Sequence, residues 1–202
     1  MRRLTMVVVL CVLGVLQMTA GIAEADTYTF QPTPADLWDL DHYKYYTWGI
    51  QWDIPNGESI AGASLFIDNI NDWTVESGDV LYVHLLDDPL VGAKEWPDNQ
   101  GGNALSGQGV LLTTYTDDDG YPNPTEDWQY DFSMSEVGSL NHYAADGLFG
   151  FGFDPDCHYN NDGVTLTVHT TPEPQAAVLI MMGIGLVFMK RRTAPVPCAA
   201  TT

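Results

Sequence analysis

Residues 147–153 read GLFGFGF, and every second position from Phe149 to Phe153 is phenylalanine, with Gly150 and Gly152 between them. Successive side chains of a β-strand point to opposite faces, so this pattern predicts a strand with one aromatic face and one glycine face. The aromatic face is typical of a protein core. The glycine face permits the close approach of another backbone or of a ligand, and we expect close packing against it.

The rest of the chain between residues 26 and 170 contains further short runs of this kind. In residues 45–53 (YYTWGIQWD), strict alternation places Tyr46, Trp48, Ile50 and Trp52 on one face. Strands are also predicted at residues 27–30, 60–70, 80–86, 110–115, 128–132 and 164–170. Connections rich in Asn, Asp, Gly and Pro separate these runs. The sequence therefore predicts an all-β fold, an antiparallel, jelly-roll-like β-sandwich of about eight strands.

One short helix is predicted after residue 132. Ser133 and Glu136 form a capping-box pattern, and Val137 and Leu140 begin an apolar stripe at helical spacing. Gly147 is expected to end the helix, because glycine readily adopts the backbone conformation that terminates helices. We expect this helix to cover one end of the sandwich.

The body of the chain is strongly acidic. The whole chain carries a net charge of −20. Between residues 26 and 171, two basic residues, Lys44 and Lys94, stand against 25 acidic residues, which gives a net charge of −23. Such a surface repels nucleic acids and anionic lipid headgroups and attracts divalent cations. Nucleic acid is therefore excluded as a partner.

The sequence shows no motif for catalysis, so no enzymatic activity is predicted. It lacks a G-x-S-x-G nucleophile elbow, an H-E-x-x-H zinc motif and a phosphate-binding loop. Of the three cysteines, only Cys157 lies in the body, so no disulfide can form within it. With so many carboxylates in the body, two that could act as a glycosidase pair are expected by chance and give no evidence of catalysis. A hydrolase is therefore the least favoured class of function.

The first 25 residues are predicted to be a signal peptide. Arg2 and Arg3 form a positive start, and residues 6–16 (MVVVLCVLGVL) form an apolar run of the expected length. Ala23 and Ala25 satisfy the small-x-small rule for cleavage. The body, predicted to span residues 26–170, is therefore expected to be exported.

A second apolar run, residues 176–189 (AAVLIMMGIGLVFM), lies near the carboxyl end. As a helix it would cover roughly 21 Å, against about 30 Å for the hydrocarbon core of a bilayer. Lys190, Arg191 and Arg192 follow at once. Such a cluster stays in the cytoplasm, which predicts a transmembrane helix with the body outside and residues 193–202 as a cytoplasmic tail.

Pro172, Glu173 and Pro174 precede this run, and two prolines favour an extended, accessible backbone. The order of this motif, the apolar helix and the basic cluster resembles the PEP-CTERM sorting signal of Gram-negative bacteria, here over residues 171–192. A plain C-terminal membrane anchor is the alternative. The last predicted hairpin (FGFDPDCHYNNDG) is also similar to that of a group of uncharacterised PEP-CTERM proteins. This similarity does not indicate an activity.

The resemblance implies a partner and a destination. In that family an integral-membrane cysteine protease-transpeptidase, the exosortase, is thought to recognise the signal and remove the tail. The chain would then occupy the inner membrane transiently before reaching the outer envelope, cell surface or extracellular space. The resemblance implies a structural or adhesive role there, with exopolysaccharide as a candidate partner.

Calcium is the cofactor that the sequence suggests. Asp154, Asp156, Asn160 and Asp162 offer oxygen ligands within one loop, as Ca²⁺ prefers, although the spacing is not that of an EF-hand. The alternative is a hairpin loop whose side chains hydrogen-bond their own backbone.

Three tryptophans, Trp38, Trp96 and Trp128, lie near segments rich in Asp, Asn and Gly. Exposed aromatic rings beside polar groups suit sugar binding, which makes a Ca²⁺-dependent carbohydrate-binding module the second candidate function. The alternative is that these rings lie in the core or cover the ends of the sandwich.

The sorting hypothesis predicts the fate of a double variant, Pro172→Ala with Pro174→Ala. We expect an uncleaved precursor that stays in the membrane, because the extended segment that a processing enzyme would enter is lost. Cell fractionation and mass spectrometry of the carboxyl terminus measure this. Unchanged release into the medium would contradict the hypothesis.

Overall fold

The computed structural model describes residues 25–73, 79–98, 101–117 and 124–173. These residues form ten β-strands, one α-helix and a single turn of 3-10 helix, Ala144–Asp146. The strands are β1 (Asp26–Phe30), β2 (Lys44–Gln51), β3 (Glu58–Asp72), β4 (Leu81–Asp87), β5 (Gly92–Pro97), β6 (Val110–Tyr115), β7 (Glu126–Asp131), β8 (Leu148–Pro155), β9 (Tyr159–Asn160) and β10 (Gly163–Pro172). The helix α1 is Met134–Tyr143. The predicted all-β architecture with one short helix is confirmed.

The strands pair antiparallel in two sheets. The first sheet has the order β1-β10-β3-β7, with β9 pairing to the end of β3. The second sheet has the order β5-β2-β8-β4-β6. Two of these strands were not predicted. β5 reads GAKEWP and lies at a sheet edge without apolar alternation, and β9 has only two residues.

Both sheets contribute to one hydrophobic core, as in a β-sandwich. Phe149, Phe151 and Phe153 on β8 are fully buried, which confirms the aromatic face predicted from the sequence. Their neighbours from the first sheet include Leu65 on β3 and Leu166 on β10, which are also fully buried. Burial of these aromatic and aliphatic side chains is the main favourable contribution to folding.

The glycine face of β8 is closely covered, as expected. A Cβ atom at Gly150 would overlap the backbone oxygen of Trp48 and lie 2.7 Å from Pro89 Cγ. A Cβ atom at Gly152 would overlap the side chain of Leu105. The connections from β4 to β5 and from β5 to β6 therefore lie directly on the outer face of the second sheet, and only glycine leaves room for them.

Helix α1 begins with the predicted capping box. Ser133 Oγ accepts a hydrogen bond from Glu136 N, and Ser133 N donates to Glu136 Oε2 at 2.6 Å. Val137 and Leu140 are buried, as their spacing predicted. Asn141 fixes the helix to β3, because its amide exchanges hydrogen bonds with the backbone of Ile60 at 2.8 and 2.9 Å.

The two ends of the body meet at one edge. Asp26, the predicted start of the mature chain, is the first residue of β1 and pairs with Thr170 near the end of β10. The predicted apolar helix at residues 176–189, the basic cluster, the cytoplasmic tail and nearly all of the signal peptide lie outside the described residues. Within the described ranges, no helix combines the length and the apolar character needed to span a membrane.

The packing of the glycine face predicts the effect of one methyl group. Gly150→Ala is expected to lower the free energy of unfolding by about 2–3 kcal/mol, because the methyl group would overlap a backbone oxygen in a packed layer. Gly138→Ala is the matched control, since no atom lies within 4 Å of its Cβ position on α1. The control should gain about 0.5–1 kcal/mol from helix propensity. Urea denaturation measures both, and equal midpoints would contradict the packing argument.

Candidate functional site

Six carboxylates lie close together at the end of the body where β3 ends. They are Asp72 at the end of β3, Asp79 before β4, Asp98 after β5, Asp117 after β6, Asp154 in β8 and Asp156 just after β8. We call them the distal acid cluster. Antiparallel pairing brings these strand ends to one edge, since β4 begins where β6 and β8 end. Of the two basic residues of the body, Lys44 pairs with Glu95 at 2.7 Å, and Lys94 is exposed on β5.

Asp154 is the most buried member of the second-sheet half of the cluster. Its side chain is fully buried, and Oδ2 accepts a hydrogen bond from Ala104 N at 2.6 Å. Burial raises the pKa of Asp154 to about 6, against the opposing effect of that hydrogen bond, and the negative charges of Asp98 and Asp156 contribute further. A buried carboxyl in such a place is stabilised by a proton or by a cation.

Neighbouring oxygens of the cluster are poorly satisfied. Asp98 Oδ2, Asp154 Oδ1 and Asp156 Oδ1 are buried and make no hydrogen bond. Burial, and then the charges of Asp98 and Asp79, also raises the pKa of Asp156, although Gly102 N donates to this carboxylate. Unpaired buried acceptors are costly, so a positive charge beside these oxygens would be favourable.

The other half of the cluster contains the only cysteine of the body. Asp72, Asp79 and Cys157 are all buried, and one ligand atom of each lies within 4.8 Å of the other two. Burial and a hydrogen bond to Asp72 raise the pKa of Cys157 to about 12. The thiol is therefore protonated and is a poor nucleophile at neutral pH, which favours a packing or ligand role over covalent catalysis.

The four residues predicted to bind Ca²⁺ are not brought together as one group. Asp154 and Asp156 belong to the distal acid cluster, and their charges act on each other. Asn160 lies on β9, where it pairs with Asn71. Asp162 is exposed and accepts a hydrogen bond from Asn69 Nδ2 at 2.8 Å. The predicted loop therefore contributes two of its four oxygens to a larger cluster whose other members come from distant strands.

The outer face of the second sheet carries an aromatic cleft. Tyr45 on β2 pairs with Trp96 on β5, and their rings stack with centroids 6.2 Å apart and an angle of 18°. Trp96 Nε1 donates to Thr47 Oγ1 at 3.0 Å, which fixes the orientation of the indole ring. The cleft has a volume of about 460 Å³. Its other walls are formed by Leu86, Asp87, Asp88, Pro89, Leu90, Gln108, Gly109 and Tyr143.

The cleft combines apolar ring surface with polar groups. Asp87, Asp88 and Gln108 are exposed at its rim. A volume of this size lies within the usual range of about 300–1,000 Å³ for small-ligand sites. Flat aromatic surface beside carboxylate and amide groups suits a ligand with apolar faces and many hydroxyls.

The other two predicted sugar-binding tryptophans lie elsewhere. Trp38 is 44% exposed in the β1–β2 connection and stacks on Tyr46, with centroids 6.3 Å apart. Trp128 is half-buried on β7, in the first sheet, where it packs against Tyr115 and Tyr130. Of the three predicted residues, only Trp96 lies in the cleft.

Sequence reasoning missed several residues of these sites. Tyr45 was available from the pattern, because the alternation that places Tyr46 in the core necessarily turns Tyr45 to the outer face. Asp72 and Asp79 carried no local signal. They meet Cys157 only through strand pairing across a separation of about eighty residues in the chain.

No family model matches the chain, and no curated protein matches it.

The raised pKa of Asp154 predicts an unusual pH dependence of stability. The folded state holds its proton up to about pH 6, whereas the unfolded chain releases it near pH 4. Asp154 therefore contributes stability below pH 4 that is lost as the pH rises to 6. Asp154→Asn should raise the free energy of unfolding at pH 7 by on the order of 1 kcal/mol, allowing for solvent screening, and should have no such effect at pH 4.

Urea denaturation in the presence of a chelator measures this difference. Asp131→Asn is the control, because Asp131 is an exposed acid of β7. If the two variants show the same pH dependence relative to the unmodified chain, the buried environment assigned to Asp154 is wrong.

Proposed function

We propose that this chain is an exported protein of the PEP-CTERM class, with an adhesive role in the outer envelope or extracellular matrix. We further propose that its body binds carbohydrate, such as an exopolysaccharide, in the aromatic cleft. The observation that carries the binding proposal is the stacked, half-exposed pair of Tyr45 and Trp96, bordered by polar side chains.

The organisation of the chain supports export and sorting. An apolar run with a cleavage pattern precedes Asp26, and the first strand begins at that residue. The last strand ends at Pro172, the first residue of the sorting motif, and Pro172 and Glu173 are exposed. A processing enzyme of the exosortase type would meet this segment without unfolding the body. Transient contact with the inner membrane would be made through residues 176–189.

The strand order supports a jelly roll as the finer description of the fold. Apart from β5 and β9, the strands form two four-stranded sheets with the orders β1-β10-β3-β7 and β2-β8-β4-β6. This interleaving of early and late strands is what two successive Greek keys produce, and lectin domains are among the proteins built this way. Because one fold hosts many functions, the case for sugar binding depends on the cleft.

The chemistry of the cleft supports a saccharide as its ligand. The rings of Tyr45 and Trp96 lie nearly parallel and line the cleft as an aromatic platform for the ligand, and Thr47 holds the indole by a hydrogen bond. Asp87 and Asp88 can accept hydrogen bonds from sugar hydroxyls, and Gln108 can both donate and accept. Such a site binds one face of a sugar ring with little conformational cost, because the platform is already formed.

The distal acid cluster favours a dependence of this binding on Ca²⁺. Asp154 lies on β8 beside Tyr45, since Tyr46 pairs with Phe153, and Asp98 follows directly after β5, the strand that carries Trp96. A Ca²⁺ ion at these carboxylates would stabilise the ends of the strands that hold the platform. No observation in the described residues specifically favours a hydrolase.

Replacing the platform tests the binding proposal. Trp96→Ala is expected to weaken binding to a glycan array, or to exopolysaccharide from the producing cells, by at least about tenfold, because ring stacking contributes on the order of 1 kcal/mol or more. Trp38→Ala is the matched control, as Trp38 is an exposed tryptophan outside the cleft. Repeating the assay with EDTA tests the dependence on Ca²⁺. Absence of any glycan binding by the unmodified protein, or equal loss in both variants, contradicts the proposal.

A further inference from the structure

The half of the distal acid cluster that contains Asp72, Asp79 and Cys157 also holds a buried hydroxyl group that forms no hydrogen bond with the described protein atoms. Tyr159 on β9 is fully buried, and its hydroxyl makes no hydrogen bond. Tyr159 is the direct pairing partner of Asp72 across β3 and β9, so the two side chains lie on the same face of this strand pair. Asp72 is one of the three residues whose ligand atoms lie within 4.8 Å of one another. A tyrosine hydroxyl in a dry core is normally bonded, so this site accommodates a further group.

We propose that Asp72, Asp79 and Cys157 bind one Zn²⁺ ion at the end of the body, with Tyr159 facing the site. The three donors come from the end of β3, the segment before β4 and the connection between β8 and β9. A single ion would thus link the end of β3 in the first sheet to the two segments that adjoin β4 and β8 of the second sheet. Asp117 supports the arrangement, because its Oδ2 accepts a hydrogen bond from Asp72 N at 3.0 Å.

The donor set favours Zn²⁺ over Ca²⁺ at this position. Zn²⁺ binds sulfur, nitrogen and oxygen in four-coordinate sites, whereas Ca²⁺ takes six to eight oxygens and does not use a thiol. Two carboxylates and one sulfur leave one coordination position, which water or the hydroxyl of Tyr159 can occupy. As the Zn–Sγ bond forms, the thiol proton is released to solvent, so Cys157 enters the site as a thiolate.

This site is separate from the proposed sugar-binding cleft. Cys157 and Tyr159 face the core between the sheets, whereas Tyr45 and Trp96 lie on the outer face of the second sheet. The net charge of −23 on the body adds a long-range attraction for the ion. Loss of zinc binding would leave the sugar proposal intact, and the reverse also holds.

Spectroscopy with Co²⁺ tests the proposal directly. The full chain, purified in detergent with Cys11→Ser and Cys198→Ser so that Cys157 is the only thiol, is stripped with a chelator and titrated with Co²⁺ and Zn²⁺. We expect one equivalent to bind, with a near-ultraviolet charge-transfer band from thiolate to Co²⁺ that Zn²⁺ abolishes. In Asp79→Asn and Cys157→Ser, zinc affinity measured by calorimetry should fall by about 100-fold or more.

The controls separate a built site from general attraction to acids. Asp68→Asn, in a surface group with Asp127 and Asp162, should keep both the band and the affinity. The charge-transfer band of the chain that retains Cys157 and every acidic residue is itself evidence that the thiolate binds the metal. The proposal can therefore be tested even if Asp79→Asn or Cys157→Ser fails to fold. Absence of the band, or zinc affinity unchanged in Cys157→Ser, would each overturn the proposal.

Discussion

The packing of β8 against both of its faces is the constraint on which the rest of the molecule depends. This strand lies at the centre of the five-stranded sheet, with Phe149, Phe151 and Phe153 in the core. Its other face carries Gly150 and Gly152, and the connections beside β5 lie directly on them. A larger residue at Gly150 or Gly152 would hold those connections away from the sheet. The alternation of phenylalanine and glycine along β8 therefore fixes how closely the core packs on one face and the connections pack on the other.

The same packing creates the candidate binding surface. With the β4–β5 connection lying on the sheet, Asp87 and Asp88 come to the edge of a cleft whose floor is Tyr45 and Trp96. The β5–β6 connection is fixed from beneath by His84, whose ring bonds Gln108 O at 3.1 Å and Asn103 Nδ2 at 2.9 Å. The cleft therefore has rigid walls without disulfides, and a preformed site of this kind loses little entropy on binding a ligand.

The distribution of charge is the second organising feature. A body with a net charge of −23 would be expected to spread its acids over the surface, yet Asp72, Asp79 and Asp154 are buried. Burial of a carboxylate opposes folding unless a proton, a hydrogen-bond donor or a positive charge compensates for the loss of hydration. The distal acid cluster is thus a place where the stability of the fold depends on the solution around it, through pH and through the concentration of divalent ions.

Much of the fold followed from local pattern. Short apolar runs bounded by turn residues predicted eight of the ten strands, alternation predicted the core faces of β2 and β8, and the capping box located α1. The missing strands, β5 and β9, are an edge strand with little apolar character and a two-residue pairing, neither of which leaves a periodic signal. Of the candidate site residues, Trp96 was predicted to bind sugar and lies in the cleft, whereas Trp38 and Trp128 lie apart from it.

What the sequence determined by itself was the class of fold, the inward faces of β2 and β8 and the acidity of the body, because each depends on residues that are neighbours in the chain. Only the tertiary structure decided which acids share a site. Asp162 lies apart from Asp154 and Asp156 and accepts a hydrogen bond from Asn69. Asp72, Asp79 and Cys157, in contrast, come together from three separate segments of the chain. The proximity of these residues depends on strand register and on which strand ends lie side by side. Pairing between distant segments leaves no periodic pattern in the sequence, so it could not be predicted from it.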